Sequence, residues 1–142
     1  MSEFITKQSD EQMKFSTGME RDVSKDKPRF DLIIPIQIPY KDQLLTRWAE
    51  LMTRGAKHYS ARNWEKAETI EEFERFKESA LRHLMQWICG ETDEDHAAAV
   101  LFNIQGAECV KWKIREKLRL TVHTTEEAIS DIEKIKEQLN IR

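Results

Sequence analysis

The chain has 142 residues, about the length of one domain and enough to bury a full core. Its 23 Lys and Arg against 26 Asp and Glu leave a net charge of −3, which argues against a protein built to hold nucleic acid phosphates. No apolar run approaches the ~20 residues of a membrane span, and the N-terminus lacks a signal-peptide core, so a cytoplasmic protein with neither nucleic acid nor membrane as partner is expected. Cys89 and Cys109 fall inside helical patterns without paired spacing and read as reduced core thiols.

Residues 1–14 are polar and patternless and read as a mobile arm; residues 15–142 read as a single domain. All three prolines lie between 28 and 39, so residues 15–39 are expected to be extended. Ile34, Ile36 and Ile38 alternate there, but Pro35 and Pro39 restrict them to an edge strand or a strap. Four helices follow. The first, 41–54, has Leu44, Leu45, Trp48, Leu51 and Met52 on one face and Gly55 as its stop. The second, 71–89, carries Phe73, Phe76, Ala80, Leu84, Trp87 and Ile88 and ends at Gly90. The third, 94–118, begins at a Thr92/Asp95 capping-box pattern. The fourth, 124–139, opens on Thr124 and Glu127 and presents Ala128, Ile132, Ile135 and Leu139. The fold class is therefore all-α, a helical bundle with an extended N-terminal strap. The apolar stripe of the fourth helix and the length of the third lead us to expect a homo-oligomer.

Polar residues on apolar seams mark where chemistry would sit. At ~100° per residue, His96 and Asn103 fall within the face of Ala99, Val100, Ala107, Val110 and Ile114. Glu72, Ser79 and His83 run along the edge of the second helix's stripe. A buried polar group costs free energy unless partnered, so His83 and His96 read either as satisfied core histidines or as ligands on facing helices. The acids of the 90–96 turn read either as helix-capping groups or, in Glu91 and Asp95, as hard oxygen ligands for Mg²⁺ or Mn²⁺. Glu91 is the better placed and Asp95, about 100° off the His96 face, the weaker. The loop from Gly55 to Trp64 combines Tyr59 and Trp64 with Lys57, Arg62 and Asn63. Those aromatics either plug the bundle end or stack on a base, with Asn63 at its edge and the cations on phosphates.

Five motifs in order then carry a resemblance: Lys-Pro-Arg-Phe-Asp-Leu-Ile (27–33), Arg-Gly-Ala-Lys-His-Tyr…Arg-Asn-Trp-Glu-Lys (54–66), Ser-Ala-Leu-Arg-His-Leu (79–84), Gly-Glu (90–91) and Asp-Glu-Asp-His-Ala-Ala-Ala-Val-Leu-Phe-Asn (93–103). Together they resemble the phage and bacterial dATP/dGTP diphosphohydrolase family, MazZ-like, which is similar to the MazG-like all-α pyrophosphatases. The resemblance implies hydrolysis of dGTP or dATP to the monophosphate and pyrophosphate with Mg²⁺ or Mn²⁺, adjusting a deoxynucleotide pool, by a chain that assembles with copies of itself as a dimer or tetramer. On that reading His83, Glu91, His96 and Arg82 are catalytic, and Glu91, Asp95, His83 and His96 hold metal. Lys57, Tyr59, Arg62, Asn63, Trp64, Asn103 and Arg29 bind nucleotide. The MazG-like Glu-x-x-Glu and Glu-x-x-Asp pairs are replaced here by Ser79-x-x-Arg82-His83 and His96-x-x-Ala99. A nucleotide-sequestering module and a structural adaptor are the alternatives.

Overall fold

A computed structural model describes residues 11–22, 27–121 and 126–140. The chain divides into two compact units, Met1–Ile36 and Gln37–Arg142.

In the first unit, β1 (Gln12–Lys14) pairs antiparallel with β2 (Glu20–Asp22), with Met13 opposite Arg21. The sequence reading had no strand here, because two three-residue strands are too short to show a period. What makes the hairpin is its turn. Gly18 sits at φ +86° and donates its N–H to Phe15 O, and Phe15 N–H closes the ladder on Met19 O. A Lys14–Glu20 ion pair of 3.0 Å adds cross-strand attraction. Of the edge strand or strap expected at Ile34, Ile36 and Ile38, the strand does not form; a 3₁₀ turn, Phe30–Ile33, precedes these residues and the prolines leave the isoleucines without a ladder.

The second unit is all-α: α1 (Leu44–His58), α2 (Ile70–Ile88), α3 (His96–Thr121) and α4 (Glu126–Gln138). Short 3₁₀ turns at Tyr40–Asp42 and Asn63–Lys66 introduce α1 and α2. Gly55 does not stop α1. It stays helical, and the helix closes one turn later where Tyr59 N–H reaches Gly55 O. Gly90 does end α2, at φ +78°. Asp95, not Thr92, caps α3: its carboxylate accepts the Ala98 N–H at 3.1 Å. Thr124 lies outside the described residues.

The core is formed by Phe73 of α2, Ala67 before it, Ala107, Val110 and Ile114 of α3, and Leu139 after α4, with Ile70, Phe76, Leu118 and Ile135 packed around them. Fully burying each large member is worth roughly 1.5–3 kcal/mol. Leu139 is buried and Ile135 half-buried in this way, so part of the α4 stripe packs inside the chain. Cys89, read as a core thiol, is exposed at the end of α2.

Helix α2 starts on a reciprocal cap. Thr69 Oγ1 accepts the Glu72 N–H at 3.2 Å, and Glu72 accepts from the Glu68 and Thr69 N–H groups and the Thr69 hydroxyl. Those donors, Glu68 N–H foremost, hold the Glu72 carboxyl below its ordinary value of 4.5. A depressed carboxylate contributes stability above its unfolded pKa and loses it as pH falls through the folded one. Thr69→Ala is expected to cost about 1 kcal/mol of stability. Glu72→Gln should flatten the fall in melting temperature between about pH 5 and pH 3, and both are read by circular dichroism melts.

Candidate active site

The site lies where α2 ends and α3 begins. The turn after Gly90 reverses the chain and brings the last turns of α2 against the first of α3. His83 Nδ1 stands 3.0 Å from His96 Nδ1. His96 is 3% exposed, and its Nε2 lies 2.8 Å from Asp93 Oδ1. A carboxylate only accepts, so His96 carries its proton on Nε2 and turns the Nδ1 lone pair toward His83. In the neutral pair, the His83 Nδ1–H therefore donates. Burial pushes the His83 imidazole below its usual range, and the Arg82 charge adds to this. The His96 bond holds the Asp93 carboxyl low.

Glu94 Oε2 lies 3.9 Å from His83 Nδ1. Among the described residues two groups could hold a metal ion, His83 with Glu94 and His96, and Glu91 with Asp93 and His96, the ligand atoms of each within 4.8 Å of one another. Glu91 also accepts from Gln86 Nε2 at 2.9 Å. Asp95 faces elsewhere. Arg47 of α1 grips it in a fork of 2.8 and 3.2 Å, and this guanidinium, more than the Ala98 N–H, holds its carboxyl below the usual range. Asp95 thus pins α1 to the start of α3.

Beside this cluster lies a groove of about 760 Å³ lined by Leu51, Arg54, Thr92, Asp93, Glu94, Asp95 and Ala99. Leu51 and Arg54 also wall a second, largely apolar cavity of about 450 Å³. Tyr59, Arg62, Asn63, Trp64, Phe76 and Phe102 complete much of that wall. Trp64 meets Phe102 edge to face at 6.3 Å, and Phe102 meets Phe76 the same way at 5.9 Å. Ser60 at φ 142° and Arg62 at φ 60° bend the loop, a conformation glycine takes more readily. Lys113 of α3 holds it in place, donating to the carbonyls of Glu65 and Ala67. Arg62 pairs with Glu65 at 2.5 Å. Asn103, buried, donates to Ala99 O at 2.8 Å and lines a third cavity of about 350 Å³ with Asn63, Trp64, Glu72 and Ser79.

The residues singled out in the sequence thus fall in several places. His83, Glu91 and His96 meet at the α2–α3 turn, and Arg82 is exposed beside His83. Tyr59, Arg62, Asn63 and Trp64 share the apolar cavity, and Lys57 lies exposed on the last turn of α1. Arg29 belongs to the first unit, where it forks onto Asp31 at 2.8 and 2.5 Å. Sequence reasoning passed over Asp93, Glu94, Arg47 and Arg54. Asp93 had a signal, since Asp93-x-x-His96 is the i,i+3 spacing at which a carboxylate reaches back from a helix start.

Fold and site together define an all-α protein in which an imidazole–carboxylate cluster adjoins an aromatic cavity. A family model described as dATP/dGTP diphosphohydrolase, N-terminal, matches residues 17–114, about two thirds of the chain, and the chain belongs to that family. No curated protein and no solved structure matches it. Among the described residues no helix is long and apolar enough to cross a membrane.

Proposed function

We propose that the chain is a (deoxy)nucleoside triphosphate diphosphohydrolase acting on dGTP and dATP, releasing the monophosphate and pyrophosphate. One observation carries this beyond the family name: Leu51 and Arg54 are shared by the apolar cavity and the acidic groove. A base among Tyr59, Trp64 and Phe102 would lead its phosphates past Arg54 to the imidazole cluster. The donor set, two imidazoles with exposed carboxylates, fits a divalent cation, which His83, His96 and Glu94 would hold. Such an ion, when bound, neutralises phosphate charge and acidifies water.

The chain's own residues do the rest. Asp93 fixes the His96 ring. Glu91, at the edge of the cluster, accepts the proton of the water that attacks the α-phosphorus in line. The bond to the β-phosphate oxygen breaks as the new P–O bond forms, and pyrophosphate leaves with the electron pair. Arg54, Lys57, Arg62 and Arg82 offset the charge on the β- and γ-phosphates. Asn63, which lines both the aromatic cavity and the smaller one beside it, supplies its amide to the base edge, with Asn103 in the smaller cavity behind it. Asp95 serves from behind, as the tether between Arg47 and α3. Incubating the protein with each deoxynucleoside triphosphate and Mn²⁺ should release pyrophosphate from the purine substrates. Nucleotide binding without pyrophosphate would replace this reading with sequestration.

The purine preference rests on the aromatic wall. Stacking is worth ~1–3 kcal/mol per base, so the larger ring gains about tenfold in specificity constant. Trp64→Ala should weaken dGTP and dATP more than dCTP and dTTP. Equal losses would reduce Trp64 to a plug of the bundle end. Self-association is supported by Leu81, Met85, Trp87 and Ile88, all exposed on α2. Sedimentation should then give a mass above 16.8 kDa.

A further inference from the structure

We infer that His83, His96 and Glu94 form a site for a first-row transition-metal ion that discriminates against Mg²⁺. The inference rests on the hydrolase reading for what the ion does, though not for which ion it is. Three features of the cluster lead to it.

The first is the set of lone pairs. Asp93 accepts the proton on His96 Nε2, so the ring is oriented from behind and its Nδ1 is left free to coordinate. That is how a carboxylate supports a metal-ligating histidine from outside the coordination shell. It also selects between the two possible groups, because Asp93 holds the opposite nitrogen of the ring and orients it.

The second is the chord between nitrogens. Two nitrogens bound to one ion at ~2.0–2.1 Å and subtending 90–110° stand about 2.9–3.4 Å apart. His83 Nδ1 and His96 Nδ1 stand 3.0 Å apart. An ion can therefore replace the proton between them with little movement of either helix. Glu94, with its side chain 63% exposed and 3.9 Å from His83 Nδ1, is free to close the third position. Water or substrate would take the rest.

The third is ligand chemistry. Imidazole nitrogens suit Mn²⁺, Fe²⁺, Co²⁺, Ni²⁺ and Zn²⁺, with affinity rising along the series toward nickel. Mg²⁺ demands six oxygens near 2.1 Å and gives up its water reluctantly. Here it would exchange water for two nitrogens, one of them on a buried ring. Mg²⁺ gains little from this set, and a transition ion gains much.

The test uses the full chain stripped of metal with a chelator and then titrated with Co²⁺, whose visible ligand-field bands report nitrogen coordination. Saturation at one ion per chain is expected, with bands that survive a large excess of Mg²⁺. His83→Ala should abolish them in a protein that still gives a helical spectrum. Asp93→Asn, which keeps both ligands and loosens only the ring's support, should weaken Co²⁺ about 10–100-fold. His58→Ala, a histidine remote in sequence from the cluster, should change nothing. Absent bands, bands bleached by Mg²⁺, or equal loss in His58→Ala would overturn the assignment. Pyrophosphate release, measured in parallel, separates the two readings. Co²⁺ uptake as described with no release from any deoxynucleoside triphosphate keeps the site and removes the hydrolase. Release of pyrophosphate with Mg²⁺ alone, and no Co²⁺ uptake, does the reverse.

Discussion

Replacing His83 by alanine is expected to slow pyrophosphate release from dGTP by on the order of 10²–10³-fold, about 2.7–4 kcal/mol of barrier. The fold should survive, because the side chain lies at the edge of the α2 stripe and outside the cluster of Phe73, Val110 and Leu139. Its loss leaves His96 Nδ1 without the group it now faces at 3.0 Å. Two readings of a partly buried histidine part company here. A ligand or catalytic group loses rate per folded molecule with little change in melting temperature. A core histidine melts lower and keeps its rate per folded molecule. Steady-state rates normalised to the folded fraction decide between them.

Gly106→Ala should destabilise the protein by about 1–3 kcal/mol, even though alanine is the better helix former by ~1 kcal/mol. A Cβ at Gly106 would lie 2.4–2.7 Å from three atoms of the Phe76 ring, closer than any real contact. Overpacking wins over propensity because Phe76 cannot retreat freely. Its ring is held edge to face by Phe102, and both rings wall the apolar cavity. The melting temperature is expected to fall by roughly 3–6 °C per kcal/mol. Nucleotide affinity should fall with it. Phe76→Leu in the same chain should return most of the stability, since a smaller side chain makes room for the methyl group. A rise in melting temperature for Gly106→Ala alone would show that Phe76 moves aside at no cost.

The helices were legible because long proline-free stretches with a 3.6-residue period leave little else for the chain to do. Seam residues were legible too: His96 and Asn103 sit on the face that Val110 and Ile114 bury, and both are buried. Chain ends and turns were not. The hairpin around Gly18 depends on one positive φ and two backbone bonds, which leave no periodic trace. Asp95 drew attention as a ligand because acids beside a histidine suggest metal. Its actual partner, Arg47, lies 48 residues away, a distance no local pattern spans. Arg54 lies inside the 54–66 motif with no local sign of its task, since only the folded chain brings it to the wall of two cavities. Glu72, Ser79 and His83, one line on paper, have three separate tasks: a helix cap, a cavity wall and the imidazole pair.

The imidazole cluster differs from the aromatic cavity in how far apart its parts lie along the chain. His83 and His96 are separated by 13 residues, and Asp93 and Glu94 fall between them. Bringing them together needs only one helix-to-helix reversal, for which the entropy of loop closure is small. The cavity draws on Leu51, Trp64, Phe76 and Phe102, from three helices and a loop, and exists only once the bundle is assembled. Loss of order should therefore be staged. Under rising denaturant, affinity for nucleotide disappears first, while the α2–α3 reversal still gathers its ligands. An ion bound there would act as a staple on that reversal, adding its binding free energy to the most local contact of the bundle.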